Sequence, residues 1–489
     1  MTADNSSSGS RVDVVVIGGG AVGENVAGRT AAAGLDTVLV ENSLIGGECS
    51  YWACMPSKAL LHPGTALAAA RSLPGAAEAV TGDLDAREVL ARRNAFTSNW
   101  DDASQADWVR DAGIRLIRGT GTLTAPRDVQ VRTGDGEVVH LHARFAVVLA
   151  TGSYPTPPPI PGLDTVDYWT TREATSAQEV PQSLAVVGGG VAGTELAQAW
   201  ARLGARVTLL ARHDVLGSFP EPARALVKAS LEADGVDLRL HCSPTGVRET
   251  GDGISLSLDD GDTVVAEKLL VATGRTPALA GLGLEKLIED GALPADPKLA
   301  DPRHGVLVTD PSGLAAGTDW LYAVGDAAGK VLLTHQGKYE ARAAGSAIAA
   351  RARGKLQGRP SDWSAEAATA DERAVPQVVF TDPEVAQVGL DLPAARAAGF
   401  NASETALDID VAGAALLRRD YSGWASMVVD EDRHVVLGMC FAGPGVSELL
   451  HAATIAVVGQ VPLDRLWHAV PAYPTVSEVW LRLLEKYGL

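Results

Sequence analysis

The chain has 489 residues, 46% of them hydrophobic and 21% charged. That is a globular composition, which excludes wholesale disorder, and at about 150 residues per domain it suggests about three domains. Lys and Arg number 41 against 60 Asp and Glu, a formal charge of −19, which speaks against a broad nucleic-acid surface or an anionic membrane partner.

The N-terminal MTADNSSSGS lacks the charged-then-apolar pattern of a secretory signal. It reads as a disordered lead-in. No apolar run reaches the roughly 18 residues that a spanning helix needs, so the expected compartment is cytoplasmic, with no membrane partner. Glycine is in excess, 52 residues or about 11% against a usual ~7%, and the glycines cluster.

The first cluster follows VDVVVIG, a β-branched run without polar alternation, as expected for a buried parallel strand. Gly18, Gly20 and Gly23 stand in GxGxxG spacing before an Ala-rich helix, and a second strand, DTVLVE, ends on Glu41. Gly18 permits the tight turn, Gly20 lets the backbone approach a pyrophosphate, and Gly23 lets helix and strand pack closely. The helix N-terminus supplies N–H donors to phosphate, and Glu41 can accept from a ribose hydroxyl. With strand, glycines, helix and acid in this order, the segment predicts a dinucleotide site.

LIGGECSYWACMPSKALLH comes next, with Cys49 and Cys54 five apart and Lys58 four further on. On a regular helix five residues give about 7.5 Å of rise and about 140° of rotation. A disulfide needs Cα atoms within about 7 Å and converging Cβ vectors, so the pair can bridge only if the segment around Cys49 is irregular; Gly46 and Gly47 allow that. A zinc site would need a second ligand pair, and none is nearby. The pair therefore reads as a redox dithiol, and no metal centre is expected. Cys242 and Cys440 read as buried small residues.

FAVVLATGSYPTPPPIPG carries a strand into Ala150-Thr151-Gly152 and then a proline cluster, which reads as a hinge. PQSLAVVGGGVAGTELAQAWARLGARVTLLARHD repeats the dinucleotide pattern through Gly188, Gly190 and Gly193. Two such sites suggest two nucleotides, as in a flavoprotein that takes hydride from a nicotinamide. Where the first unit has Glu41, the second has Ala211-Arg212-His213; a guanidinium attracts a 2′-phosphate that a carboxylate would repel, so NADP is favoured over NAD. LLVATGRTPAL (269–279) echoes the first ATG segment, and WLYAVGDAAG places Asp326 at a strand end. Residues 346–373 lose periodicity, and GKLQGRPSDWSAEAATADE reads as an exposed connector. From about 374, PQVVF, GWASMVVD and HVVLGMCFAG read as an antiparallel sheet, with helices over VSELLHAATIAVV and SEVWLRLLEKYGL.

Taken in order, GGGAVG…E41, GGECSYWACMPSK, GGGVAGTELA, the two ATG segments, AVGDAA, VPQVVFTDPEVAQVGL and PAYPTVSE resemble the pyridine nucleotide-disulfide oxidoreductases, the flavoprotein family that includes dihydrolipoamide dehydrogenase, glutathione reductase and mercuric reductase. The resemblance spans residues ~11–489. It implies an α/β fold, with two Rossmann-like dinucleotide-binding domains plus an α+β C-terminal dimerisation domain. The implied boundaries are 11–155 and 277–350 for FAD, 156–276 for NAD(P), 351–373 as linker and 374–489 as the homodimer interface. It implies that Cys49 attacks the acceptor, that Cys54 exchanges electrons with the flavin, and that Lys58 and Glu195 pair beside it. Gly47, Thr151, Gly152 and Asp326 join the FAD contacts, and His213 and Gly274 those to NADPH, with NADH possible.

The chain departs from the disulfide reductases at two places. Where the family's His-Pro-Thr segment carries the acid–base, this chain has Tyr473-Pro474-Thr475, with Glu478 in its usual place. Tyrosine, with a reference pKa near 10 against about 6.5 for histidine, is a poor base at neutral pH. His468, five residues earlier, is a candidate substitute, with capping or packing the alternative. Tyrosine at this position resembles mercuric reductase, and Arg212 agrees with that enzyme's NADPH preference, yet this sequence ends EKYGL without that enzyme's vicinal cysteines, and it shows no N-terminal metal-binding module. Gly217 stands near where the glutathione-reductase segment has a second Arg. The expected activity is an FAD-dependent NADPH oxidoreductase of the disulfide-reductase type, with a small-molecule electron acceptor. A low-molecular-weight disulfide is favoured; a quinone, a metal ion or dihydrolipoamide are the alternatives.

Overall fold

The computed structural model describes residues 10–299 and 305–489. Of the expected disordered lead-in, MTADNSSSGS, residues 1–9 fall outside them, and Ser10 opens strand Ser10–Ile17. The chain divides into two compact units. One comprises Met1–Cys54, Thr97–Thr156 and Arg275–Asp371, the other Met55–Phe96, Pro157–Gly274 and Glu372–Leu489.

In the first unit, strands Arg115–Ala125, Thr37–Glu41, Ser10–Ile17, Val138–Leu149 and Leu321–Ala323 lie side by side and parallel. Strand Asp128–Thr133 runs antiparallel to both Arg115–Ala125 and Val138–Leu149. The apolar run VVVI has no alternation because both faces of its strand are covered. Val14 and Val16 pack with Val26, Ala341 and Ile348 on one face; Val15 and Ile17 pack with Leu123, Leu149 and Leu321 on the other. Helices Ala21–Ala32 and Thr334–Ala352 cover the first face. They approach closely because Gly337 has no side chain: a Cβ there would lie 2.7 Å from a Val22 methyl.

The second unit holds a second parallel sheet, in the order Lys268–Val271, Ser183–Val187, Arg206–Ala211, Asp237–Leu240. Helix Val191–Arg202 packs on it, burying Trp200 completely. A five-stranded antiparallel sheet follows, in the order Pro376–Val379, Glu384–Gly389, Val435–Gly443, Trp424–Asp430, Ala402–Asp408. Two of its strands, Glu384–Gly389 and Ala402–Asp408, go beyond the three read from alternation.

The stretch expected as an exposed connector is partly otherwise. Helix Thr334–Ala352 runs through the first residues of the aperiodic stretch 346–373 and ends before the connector. Further on, Ala367, Ala368 and Thr369 are buried, with the Ala368 amide donating to Pro311 O at 2.8 Å and Tyr339 Oη donating to Ala367 O. Polar composition hid a segment whose small residues fit against the first unit.

Candidate active site

The two glycine motifs fold alike. Gly18 and Gly188 both adopt positive φ, +104° and +127°, which a Cβ would strain. A Cβ on Gly23 would sit 1.8 Å from the Gly18 carbonyl oxygen, and one on Gly193 would sit 2.0 Å from that of Gly188. Each third glycine therefore lets its helix start against the turn. Gly20 and Gly190 cap helices Ala21–Ala32 and Val191–Arg202 in extended conformation without a side-chain cap, which leaves the first-turn N–H groups to an outside acceptor.

The first cradle fits a dinucleotide such as FAD. Gly47 lies against Gly20, where a Cβ would come within 2.8 Å of the Gly20 Cα, so the approach to the helix end stays narrow but open. Glu41 is buried and held by two backbone amides, Gly19 N to Oε2 and Ser43 N to Oε1, both at 2.6 Å. Its carboxylate retains lone pairs for ribose hydroxyls. Asp326 accepts from Ser153 Oγ at 2.5 Å, and Arg275 Nε donates to the same hydroxyl at 2.7 Å. Thr151 and Gly152 continue from the strand end, where Thr151 Oγ1 donates to Ala278 O and Gly152 O accepts from Ala278 N.

Behind Asp326, the buried Glu340 accepts from Gly325 N at 2.8 Å. Burial, reinforced by the charge of Asp371, pushes its carboxyl up to about 8. No local pattern in the sequence marks Glu340; its role depends on a strand end fifteen residues away.

The cysteine pair sits where a short helix ends and a long one begins. Cys49 lies on Gly47–Tyr51 and Cys54 opens Cys54–Ser72, with Trp52 leaving helical geometry between them. The required irregularity therefore falls between the cysteines as well as before Cys49, at Gly46 and Gly47. Both are half-buried thiols without a disulfide bond. The hydrogen bond with Cys54 is the main cause that raises the Cys49 thiol, with burial adding; Thr334 and Lys338 act the other way. Cys54 Sγ lies 3.3 Å from Thr334 Oγ1. Thr334 and Lys338 were not singled out from the sequence, because they lie some 280 residues downstream.

In the second unit, Lys58 Nζ and Glu195 Oε2 form an ion pair at 2.6 Å, with the Glu195 side chain almost wholly buried. Phe380 N donates to the other Glu195 oxygen at 2.9 Å, and the Lys58 ammonium lies 4.8 Å from the centre of the Phe380 ring. The structure thus brings together the two residues expected to pair and adds Phe380.

At the end of strand Arg206–Ala211, Arg212 and His213 are exposed, and Arg212 forms no ion pair among the described residues. The neighbouring acid, Asp214, is neutralised by Arg224 at 2.6 Å and Lys228 at 3.0 Å. Hydrogen bonding to Lys228 and Val215 N outweighs its burial and lowers its carboxyl. The edge is therefore cationic. Gly274 has φ +154° and open space at its Cβ position.

Tyr473 is 76% exposed and makes no hydrogen bond among the described residues. His468 is also exposed. The structure does not join either of them to Glu478, which is buried and paired with Arg482 at 2.5 Å. Glu478 Oε2 is buried without a hydrogen-bond partner among the described residues. Cys242 and Cys440 are buried as expected, burial pushing their thiols up to about 11 and about 12. Among the described residues no group of His, Cys, Asp or Glu could hold a metal ion, and no helix is long and apolar enough to cross a membrane.

Two glycine cradles and a dithiol beside the first mark an oxidoreductase that works with two dinucleotides. The chain belongs to the pyridine nucleotide-disulphide oxidoreductase family: residues 12–353 match that family, and residues 375–483 match its dimerisation domain. It is 30% identical to dihydrolipoyl dehydrogenase 2 of Haloarcula marismortui, over 95% of this chain and 94% of that protein. It is 31% identical to a mercuric reductase of Streptomyces lividans, over 95% and 94%. Two solved structures share the fold. The HOCl-induced flavoprotein disulfide reductase RclA from Escherichia coli, solved as a Cu(II) complex, has a TM-score of 0.80 at 22% identity, with 97% of this chain and 99% of that one covered. LpdA from Mycobacterium tuberculosis has a TM-score of 0.81 at 24% identity, over 98% and 100%. The family consists of FAD-dependent oxidoreductases that use NAD(P)H, and the dimerisation domain supports a homodimer.

Proposed function

We propose that this chain is an NADPH-preferring reductase of a small disulfide, working through Cys49 and Cys54. The observation that carries the reading is the thiol pair itself: two half-buried sulfurs, hydrogen-bonded to each other and to Thr334, on the segment that closes over the first cradle. When bound, FAD supplies two-electron transfer between a nicotinamide and the dithiol. Gly18, Gly20, Gly23, Glu41, Gly47, Thr151, Gly152 and Asp326 would hold it.

On the acceptor side, the Cys49 thiolate attacks one sulfur of the acceptor disulfide. The acceptor S–S bond breaks, a mixed disulfide forms, and the first thiolate leaves with a proton. Cys54 then attacks the Cys49 sulfur, so the Cys49–Cys54 disulfide forms and the second thiol departs. Lys58 and Glu195 hold fixed charge in the second unit, where Lys58 counters the buried carboxylate. Gly188, Gly190, Gly193 and Gly274 would seat the nicotinamide dinucleotide. Arg212, with His213 beside it, favours a 2′-phosphate because no carboxylate among the described residues neutralises its guanidinium.

Tyr473 weighs against dihydrolipoamide as the substrate, since a tyrosine is a poor base for drawing a proton from a thiol at neutral pH. It would act as a hydrogen-bond donor, with Glu478 supporting that segment in the homodimer. The test is stopped-flow reduction by NADPH and NADH, followed by a panel of disulfides, quinones and Hg(II). In Cys49→Ser, disulfide turnover is expected to vanish while FAD reduction survives. Undiminished disulfide turnover in that variant overturns the reading, and full retention of quinone or metal-ion reduction moves the activity to the reduced cofactor.

A further inference from the structure

We infer that Lys338 is a positioning residue for the thiol pair: its ammonium stabilises negative charge at Cys49, and Glu24 governs how much of that ammonium's field the sulfurs feel. The inference rests on the reading of Cys49 and Cys54 as a redox dithiol.

The geometry starts from Thr334, whose Oγ1 lies 3.3 Å from Cys54 Sγ and which opens the helix Thr334–Ala352. Lys338 is four residues on, so it shares that helix face one turn away. Side chains on a helix lean towards its N-terminus, which here means towards Thr334 and the sulfurs. Lys338 is half-buried and forms no hydrogen bond or ion pair among the described residues.

Its other neighbour is fixed by the glycine crossing. Gly337 abuts Val22, and Glu24 follows two residues later in the first turn of helix Ala21–Ala32. The Lys338 charge thus acts on both the Cys49 thiol and the Glu24 carboxyl. The titratable groups that face this cluster among the described residues are Glu24, Glu41 from strand Thr37–Glu41, Tyr51 from helix Gly47–Tyr51, and the two cysteines.

The electrostatics agree. Of the groups acting on Cys49, Thr334 and Lys338 are the two that favour its thiolate. Burial pushes Glu24 up to about 7, with Glu41 adding and Lys338 opposing. Below neutrality Glu24 is uncharged and Lys338 acts on the sulfurs undivided. Above it the Glu24 carboxylate offsets part of that field. In a chain whose usual histidine position holds Tyr473, this places a pH-sensitive charge on the thiol side of the site.

The test uses FAD-loaded enzyme, reduced with dithiothreitol and desalted without oxygen. Iodoacetamide then labels it: a Cys49 S–C bond forms as the C–I bond breaks and iodide leaves, and peptide mass reports the rate at Cys49 from pH 5.5 to 9.5. In Lys338→Met the labelling midpoint is expected to rise by about one pH unit, about tenfold slower labelling below it, with Lys338→Arg restoring the wild-type profile. In Glu24→Gln, labelling is expected to be faster than wild type above pH 7 and unchanged near pH 6. Visible absorbance of bound FAD confirms that each variant is folded.

A Lys338→Met profile that overlays the wild type overturns the inference, as does a Glu24→Gln profile that does so. Failure of the underlying dithiol reading shows separately, as enzyme whose FAD is reduced by NADPH without any gain of thiols.

Discussion

Cys54 Sγ lies 3.3 Å from Thr334 Oγ1, which joins the first residue of one helix to the first residue of another across 280 positions of sequence. That contact anchors the thiol pair to the helix whose N-terminus follows the Asp326 loop. Thr334→Val should remove it at a cost of about 0.5–1.5 kcal/mol in stability. It should also raise the pH at which Cys49 labels, because one of the two groups favouring its thiolate is lost. Urea melts and labelling profiles check the two effects.

The two cradles should fail independently. In Gly23→Ala the new methyl group would meet the Gly18 carbonyl at 1.8 Å, and in Gly193→Ala that of Gly188 at 2.0 Å. Gly23→Ala is expected to purify colourless. Gly193→Ala is expected to keep its yellow absorbance but to lose reduction by NADPH while dithionite still bleaches it. Equal flavin loss in both variants would contradict the assignment of two separate nucleotides.

Lys58→Met removes the cation from a carboxylate that is 2% exposed. Breaking a buried pair commonly costs 3–5 kcal/mol. Lys58 is itself about a third exposed, so a loss of about 2–3 kcal/mol is expected, read from the urea midpoint. Glu195→Gln should cost less, since its amide oxygen can still accept from Phe380 N.

Arg212→Ala should raise KM for NADPH about tenfold, the equivalent of ~1.4 kcal/mol, and leave KM for NADH unchanged. The NADPH effect should shrink at high salt, because Arg212 is exposed. Steady-state kinetics at two ionic strengths decide it.

Glu340 predicts a pH dependence of stability. Burial pushes its carboxyl from the ordinary 4.5 up to about 8, so the folded state holds more protons across that interval. Its contribution is complete below about 4.5 and is lost as pH rises through about 8. Glu340→Gln should flatten the decline in urea midpoint between those limits.

Most of the dinucleotide architecture was legible because it is local. Gly18, Gly20, Gly23 and Glu41 announce their turn, helix and strand by spacing alone, and the second set repeats them. The Cys49–Cys54 spacing required irregular backbone, and the structure supplies it at Gly46, Gly47 and Trp52. What stayed hidden depends on distant packing. Thr334 meets Cys54 from 280 residues away, and Lys338 and Glu24 are brought together by the helix crossing at Gly337. Phe380 reaches Glu195 from a sheet 185 residues on. Strand Ala402–Asp408 escaped notice because, as a polar edge strand, it lacks alternation, and Ala367–Thr369 are buried in spite of their polar surroundings.

The most direct measurement counts thiols per chain in the FAD-loaded enzyme before and after anaerobic NADPH, with mass mapping of the labelled peptides. The account predicts a gain of two thiols, at Cys49 and Cys54, and no such gain in Cys49→Ser with its FAD retained. Reduction of FAD with no new thiol at either position would contradict it.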